Sequence, residues 1–216
     1  MAKTAIILGA TGLTGGILLN LLIDDPTYSK IKIFGRTSVE KVGPKIEERL
    51  IDMLQLETYK PDFMADVLFC CIGTTNAKTP DKELYRKIDY GVPVTAAKLC
   101  KHNEIDTIVV ISAMRANVNS NVFYNKTKGE MQRDVFREGI KNCYIVQPSL
   151  IGGARKENRL GERIAKIGMS VFDFLVPKQY KIIQPEAIAL AMFRLADKGY
   201  LETIITSEKI KEIADV

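Results

Sequence analysis

The sequence has no tryptophan, one histidine and only four cysteines among 216 residues. His102 stands alone among polar residues, so neither a zinc centre nor a histidine-based hydrolytic triad can be assembled. Cys70, Cys71, Cys100 and Cys143 form no CxxC pair and fall in apolar patterns, which reads as reduced core thiols. No apolar run approaches the roughly 18 residues a membrane-spanning helix needs. The N-terminus enters a strand pattern, with no charged, apolar and small-residue export signal before it. The expectation is a soluble, cytoplasmic protein with no metal site and no membrane contact. Its charge of +5 comes from 31 basic and 26 acidic residues. The basic residues are too scattered for a nucleic-acid surface, but the surplus suits a ligand bearing several phosphates.

Apolar residues make up 46% of the chain, and their spacing carries the fold. Strand-length runs at 4–8, 31–34, 49–51, 67–72, 107–111, 144–146 and 203–205, five of them continuous and β-branched, alternate with stretches of helical period. That alternation predicts an α/β protein with a doubly wound parallel sheet covered on both faces. Helices are expected at 15–23, at 82–100 with Asp81 as N-cap, at 122–138 and at 186–196. No linker or repeat divides the chain, so residues 1–216 read as a single nucleotide-binding domain. The texture changes at 152–180, where an amphipathic stretch at 163–175 and Pro177 suggest a substrate-side insertion.

The first strand leads into Gly9-Ala10-Thr11-Gly12-Leu13-Thr14-Gly15 and then a helix. A dinucleotide needs that order: a strand, a turn free of side chains, and a helix whose first N–H groups face the pyrophosphate. About 20 residues past the glycines, NAD binders carry an acid for the ribose 2′-hydroxyl. Here the second strand ends in Phe34-Gly35-Arg36-Thr37. Arg36 is placed either to pair with the 2′-phosphate of NADP or simply to solvate a sheet edge. Asp52 is a candidate acceptor for the adenine amino group or an ordinary loop aspartate. Gly73, Thr74 and Thr75 end the fourth strand at the expected switch point, either running along the cofactor or serving only as a strand exit.

Ser112 closes the fifth strand, and Tyr124 and Lys128 follow at i, i+4 on one helix face. A free phenol is a poor acid or base at neutral pH, and lowering its pKa by about three units takes about 4 kcal/mol. One ammonium at about 4 Å supplies roughly that at an effective dielectric near 20. Tyr and Lys at this spacing are common on solvated helices. Their position after a serine on a nucleotide-binding strand is what points to proton transfer.

The glycine turn, Cys70-Cys71-Ile72-Gly73-Thr74-Thr75, Ser120-Asn121-Val122-Phe123-Tyr124 with Lys128-Gly129-Glu130, and Gln147-Pro148-Ser149-Leu150 together resemble one family. So does Arg155-Lys156-Glu157-Asn158-Arg159-Leu160-Gly161-Glu162. The chain is similar over nearly its whole length to the Tat-interacting-protein branch of the atypical short-chain dehydrogenases. That resemblance implies an NADP(H)-bound Rossmann domain with Ser112, Tyr124 and Lys128 on the catalytic positions. It also implies Arg36 on the NADP-selecting position and Pro148 near the nicotinamide. Two departures stand out: Pro148-Ser149 where many relatives have Pro-Gly, and Asp89 where extended relatives often have a relay asparagine. Asp89 reads equally as a helix surface charge.

The expected function is hydride transfer between NADP(H) and a small carbonyl or alcohol. Two alternatives stay open: an NADP(H)-binding redox sensor or protein-interaction module with little turnover, and a sugar-nucleotide epimerase. Little chain follows the sixth strand for an epimerase's substrate domain. A homodimer through the helices beginning at Lys82 and Val122, or a protein partner, is compatible with the sequence.

Overall fold

Seven parallel strands form one sheet in the order β3-β2-β1-β4-β5-β6-β7. The computed structural model describes residues 2–152 and 182–215. The expected insertion, apart from Gly152, lies outside the described residues, as do the amphipathic stretch and Pro177.

The strands are β1 (Lys3–Leu8), β2 (Tyr28–Gly35), β3 (Ile46–Leu50), β4 (Val67–Cys70), β5 (Thr107–Ile111), β6 (Asn142–Gln147) and β7 (Ile204–Thr206). Their side chains alternate between two separate cores. Ala5 and Ile7 of β1 join Val109 and Val146 in one core, which α1 (Leu13–Asp24) and α5 (Pro185–Lys198) cover. Ile6 and Leu8 join Val110 and Ile145 in the other, beneath α3 (Val92–His102) and α4 (Phe123–Arg137). Burial on both faces explains why the central strands read as unbroken apolar runs instead of an alternating pattern. The sheet order reverses direction between β1 and β4, and the strand exits there open the crevice typical of doubly wound sheets.

Cys70, Cys100 and Cys143 are buried free thiols, whereas Cys71, expected in the core with them, is half-buried. Burial pushes Cys70 up to about 11 and Cys143 up to about 12, so both are protonated at neutral pH.

Several boundaries differ from expectation. The third strand begins earlier, at Ile46, because its pairing with β2 runs from Ile31↔Ile46 to Gly35↔Leu50. The helix expected at 82–100 is three pieces: α2 (Lys82–Arg86), a π-helical turn (Lys87–Gly91) and α3. Pro93 has no N–H to offer the Asp89 carbonyl, so the regular ladder cannot continue there. Val92 instead donates to the Lys87 carbonyl five residues back. Asp81 caps α2 as expected, accepting from Glu83 N–H.

A 3-10 segment (Met53–Asp62) and a last helix, α6 (Ser207–Asp215), were not anticipated. In α6 only Ile210 and Ile213 make an apolar stripe, too short for its period to show. The first residue of α6 also accounts for the departure at Ser149: the Ser207 and Ser149 hydroxyls are buried 2.9 Å apart.

Candidate active site

A cavity of about 990 Å³ opens over the strand exits of β1, β4, β5 and β6. It begins at the glycine turn. Gly9 has φ +86°, and a Cβ there would lie 2.8 Å from the Cys71 carbonyl oxygen. A Cβ on Gly15 would meet the Gly9 carbonyl oxygen at 2.2 Å. The turn therefore folds against both the β4 exit and its own helix at distances only glycine permits. Replacing Gly15 with alanine is expected to cost about 1–3 kcal/mol of stability, read from the urea unfolding midpoint, because the atoms in the way are backbone.

Gly12 is the N-cap of α1 and supplies no side chain to satisfy the first-turn amides, and no acidic residue lies in that turn. Leu13, Thr14 and Gly15 of that first turn line the cavity, at the positive end of the helix dipole. An anionic group such as a pyrophosphate fits this cradle.

Across the cavity, Asp89 is 1% exposed. Its Oδ2 accepts from the Thr74 backbone N–H at 2.7 Å, and its Oδ1 is 2.8 Å from Lys128 Nζ in an ion pair. That contact lacks hydrogen-bond geometry at Oδ1. The Lys128 side chain is itself only 4% exposed. Of the two sequence readings of Asp89, a surface charge is wrong. The π turn carries it inward, where it joins the β4 exit to α4. Thr74 is held further by its hydroxyl, 2.8 Å from that of Thr79, and by Tyr85, whose hydroxyl donates to the Thr74 carbonyl at 3.3 Å. Burial, with Asp89 and Tyr124 nearby, raises the Tyr85 phenol well above its ordinary range.

Ser112 is buried at the end of β5, its N–H donating to the Val146 carbonyl. Gln132 Nε2 donates to Ser112 Oγ, and Gln132 Oε1 accepts from Gln147 Nε2 at 3.0 Å. Because Oγ is occupied as an acceptor, the serine proton is free to donate into the cavity. Gln132 is four residues beyond Lys128, which is four beyond Tyr124, so one face of α4 presents all three. The i+8 position was the sequence signal for Gln132.

Gly12, Leu13, Thr14, Gly15, Gly73, Thr74, Thr75, Ser112, Tyr124, Lys128 and Pro148 all line this cavity. Gly9 and Ala10 lie beneath the turn, and Thr11 is exposed beside it. Arg36 and Asp52 are not brought to the cavity. They leave the neighbouring exits of β2 and β3, where Ile51 N–H donates to the Gly35 carbonyl. Asp52 caps the 3-10 segment by accepting from Leu54 N–H, a structural use the sequence did not reveal. Arg36 is exposed and makes no hydrogen bond or ion pair among the described residues.

Sheet order, glycine turn and crevice define a Rossmann protein of the short-chain dehydrogenase type. Solved structures with the same fold include the Bordetella bronchiseptica enzyme WbmH in complex with NAD+ (TM-score 0.71, 16% identity, 100% of this chain and 80% of that one). Another is a short chain dehydrogenase family protein from Francisella tularensis (TM-score 0.70, 14% identity, 97% and 99%). The family described as "Semialdehyde dehydrogenase, NAD binding domain" matches residues 4–95. The mitochondrial protein FMP52 of Candida albicans is 31% identical over 166 residues, 74% of this chain and 72% of that protein. HTATIP2 of Rattus norvegicus is 29% identical over 168 residues, 76% and 69%. The chain belongs to the atypical short-chain dehydrogenase family that contains FMP52 and HTATIP2.

Proposed function

We propose that the protein is an NADP(H)-dependent oxidoreductase acting on a small carbonyl or alcohol. The observation that carries this reading is the convergence of Ser112, Tyr124 and Lys128 on the cavity that starts at the uncapped end of α1. The family match described as an NAD binding domain supports a nicotinamide cofactor, which supplies or accepts the hydride. The first amides of α1 hold its pyrophosphate, and Arg36 takes the 2′-phosphate at the β2 exit. Lys128 reaches the nicotinamide ribose. Tyr124 passes a proton to or from the substrate oxygen, and the Ser112 hydroxyl donates to the oxyanion that develops there.

Cofactor choice tests the reading directly. Titrated by nicotinamide fluorescence, the protein is expected to bind NADPH more tightly than NADH, by about 30-fold for a charge-assisted contact of roughly 2 kcal/mol. Arg36→Glu removes that margin and places a carboxylate against the 2′-phosphate, so NADH becomes the better ligand. Equal affinities in the wild type would remove Arg36 from the site. Hydride transfer is then followed at 340 nm with a panel of aldehydes and ketones.

A further inference from the structure

The wall beside Tyr124 narrows the substrate's chemistry. Lys82, the first residue of α2, places its ammonium 5.7 Å from the centroid of the Phe123 ring. Tyr85 meets that ring edge-on at 5.6 Å between centroids, and Phe123 immediately precedes Tyr124. All four line the cavity.

The acids around this wall are already engaged. Asp81 is turned to the helix start, where it accepts from Glu83 N–H and keeps its charge, and Glu83 pairs with Lys87 at 2.7 Å. Asp89 is held by Lys128 and Thr74, and Glu130 pairs with Arg86. Lys82 makes no ion pair among the described residues. Among the described residues, Asp89 is the one carboxylate lining the cavity, and it pairs with Lys128 and not with Lys82. An ammonium on an aromatic lip, without an ion pair among the described residues, attracts an anion whose body can lie on the rings. Phe123 of the lip directly precedes Tyr124, so the anion is assigned to the substrate and not to the cofactor's phosphates.

We infer that the substrate carries an anionic group, a carboxylate or a phosphate ester, on an apolar or aromatic body, and that Lys82 receives the charge beside Phe123 and Tyr85. This inference rests on the oxidoreductase reading above. In the reaction, the carbonyl carbon gains the hydride of NADPH and its oxygen gains the Tyr124 proton, giving the alcohol and NADP+.

The test uses the NADPH complex of the full chain and three probes: 4-formylbenzoate, 4-formylphenyl phosphate and benzaldehyde. Binding is read by calorimetry and turnover at 340 nm. At least one anionic aldehyde is expected to bind ten times more tightly than benzaldehyde, and the tighter of the two identifies the group. Lys82→Met should bring the anionic and neutral probes level, and Lys82→Glu should make benzaldehyde the preferred one. NADPH affinity is measured on every variant. Equal binding of all three probes, or no binding, overturns the inference. So does a Lys82→Met variant whose main loss is in NADPH affinity, since Lys82 would then serve the cofactor. Calorimetry does not need turnover, so a Lys82-dependent anion preference with no hydride transfer would sink the oxidoreductase reading alone. Turnover that depends on Tyr124 but ignores probe charge would sink only the inference.

Discussion

Tyr124→Phe is expected to lower NADPH-dependent carbonyl reduction by at least about a hundredfold, the lower end of what a positioned general acid contributes. NADPH affinity should stay within about twofold, because the substitution removes one oxygen and leaves the glycine turn, Lys128 and Thr74 in place. Loss of fold does not account for such a result. Tyr124 is 39% exposed, so the residue is not part of the core. The Tyr85–Phe123 ring contact beside it remains. The measurement pairs absorbance at 340 nm, on whichever carbonyl the panel identifies, with a fluorescence titration and a thermal unfolding curve. A variant that reduces that carbonyl at the wild-type rate would assign the proton to another donor and remove Tyr124 from the chemistry.

The parts legible in the sequence were those written locally. The glycine turn was legible because its constraint falls within seven residues, and the central strands because burial on both faces leaves continuous β-branched runs. Tyr124 and Lys128 were legible because one helix carries both. Contacts between distant segments were not. Asp89 and Lys128 lie 39 positions apart and meet only after the π turn, which Pro93 forces, rotates Asp89 toward α4. Gln147 reaches Gln132 from the end of β6, a contact no helical spacing encodes. Asp52 was ambiguous because a cap and a ligand contact use the same residue type in the same kind of loop. Lys82 reads as one more solvated helix residue until the ring beneath it and the engaged acids around it are in view.

The Asp89–Lys128 pair also changes the electrostatics expected of the site. Consider a phenolate about 4 Å from the ammonium and about 6 Å from the carboxylate, at an effective dielectric near 20. The net attraction falls from about 4 to about 1.4 kcal/mol. On the proposed reading, Lys128 alone would then not be the full source of proton-transfer power, and the Ser112 donor beside Gln132 would take a larger share.

The same pair carries the largest stability effect expected in the molecule. Asp89→Ala leaves an ammonium that is 4% exposed without its counter-charge and takes the acceptor from Thr74 N–H. Removing one partner of a buried pair costs about 3–5 kcal/mol, a large part of a typical domain's stability. Lys128→Met strands the carboxylate and should cost a comparable amount. Replacing both, as Asp89→Leu with Lys128→Met, removes both desolvated charges and should recover most of the loss, since an apolar pair of similar volume is often as stable as the ion pair. The urea unfolding cycle of Asp89→Leu, Lys128→Met and the double variant is then strongly non-additive. Asp89→Asn falls between them, because its amide oxygen still accepts from Thr74 while the charge is gone. A cycle that adds within about 0.5 kcal/mol would mean the two side chains are not coupled in solution. If the coupling holds, the stable double variant should still have lost its turnover. Packing alone would then be restored, while the charged group proposed to hold the cofactor ribose and the tie from β4 to α4 would both be missing.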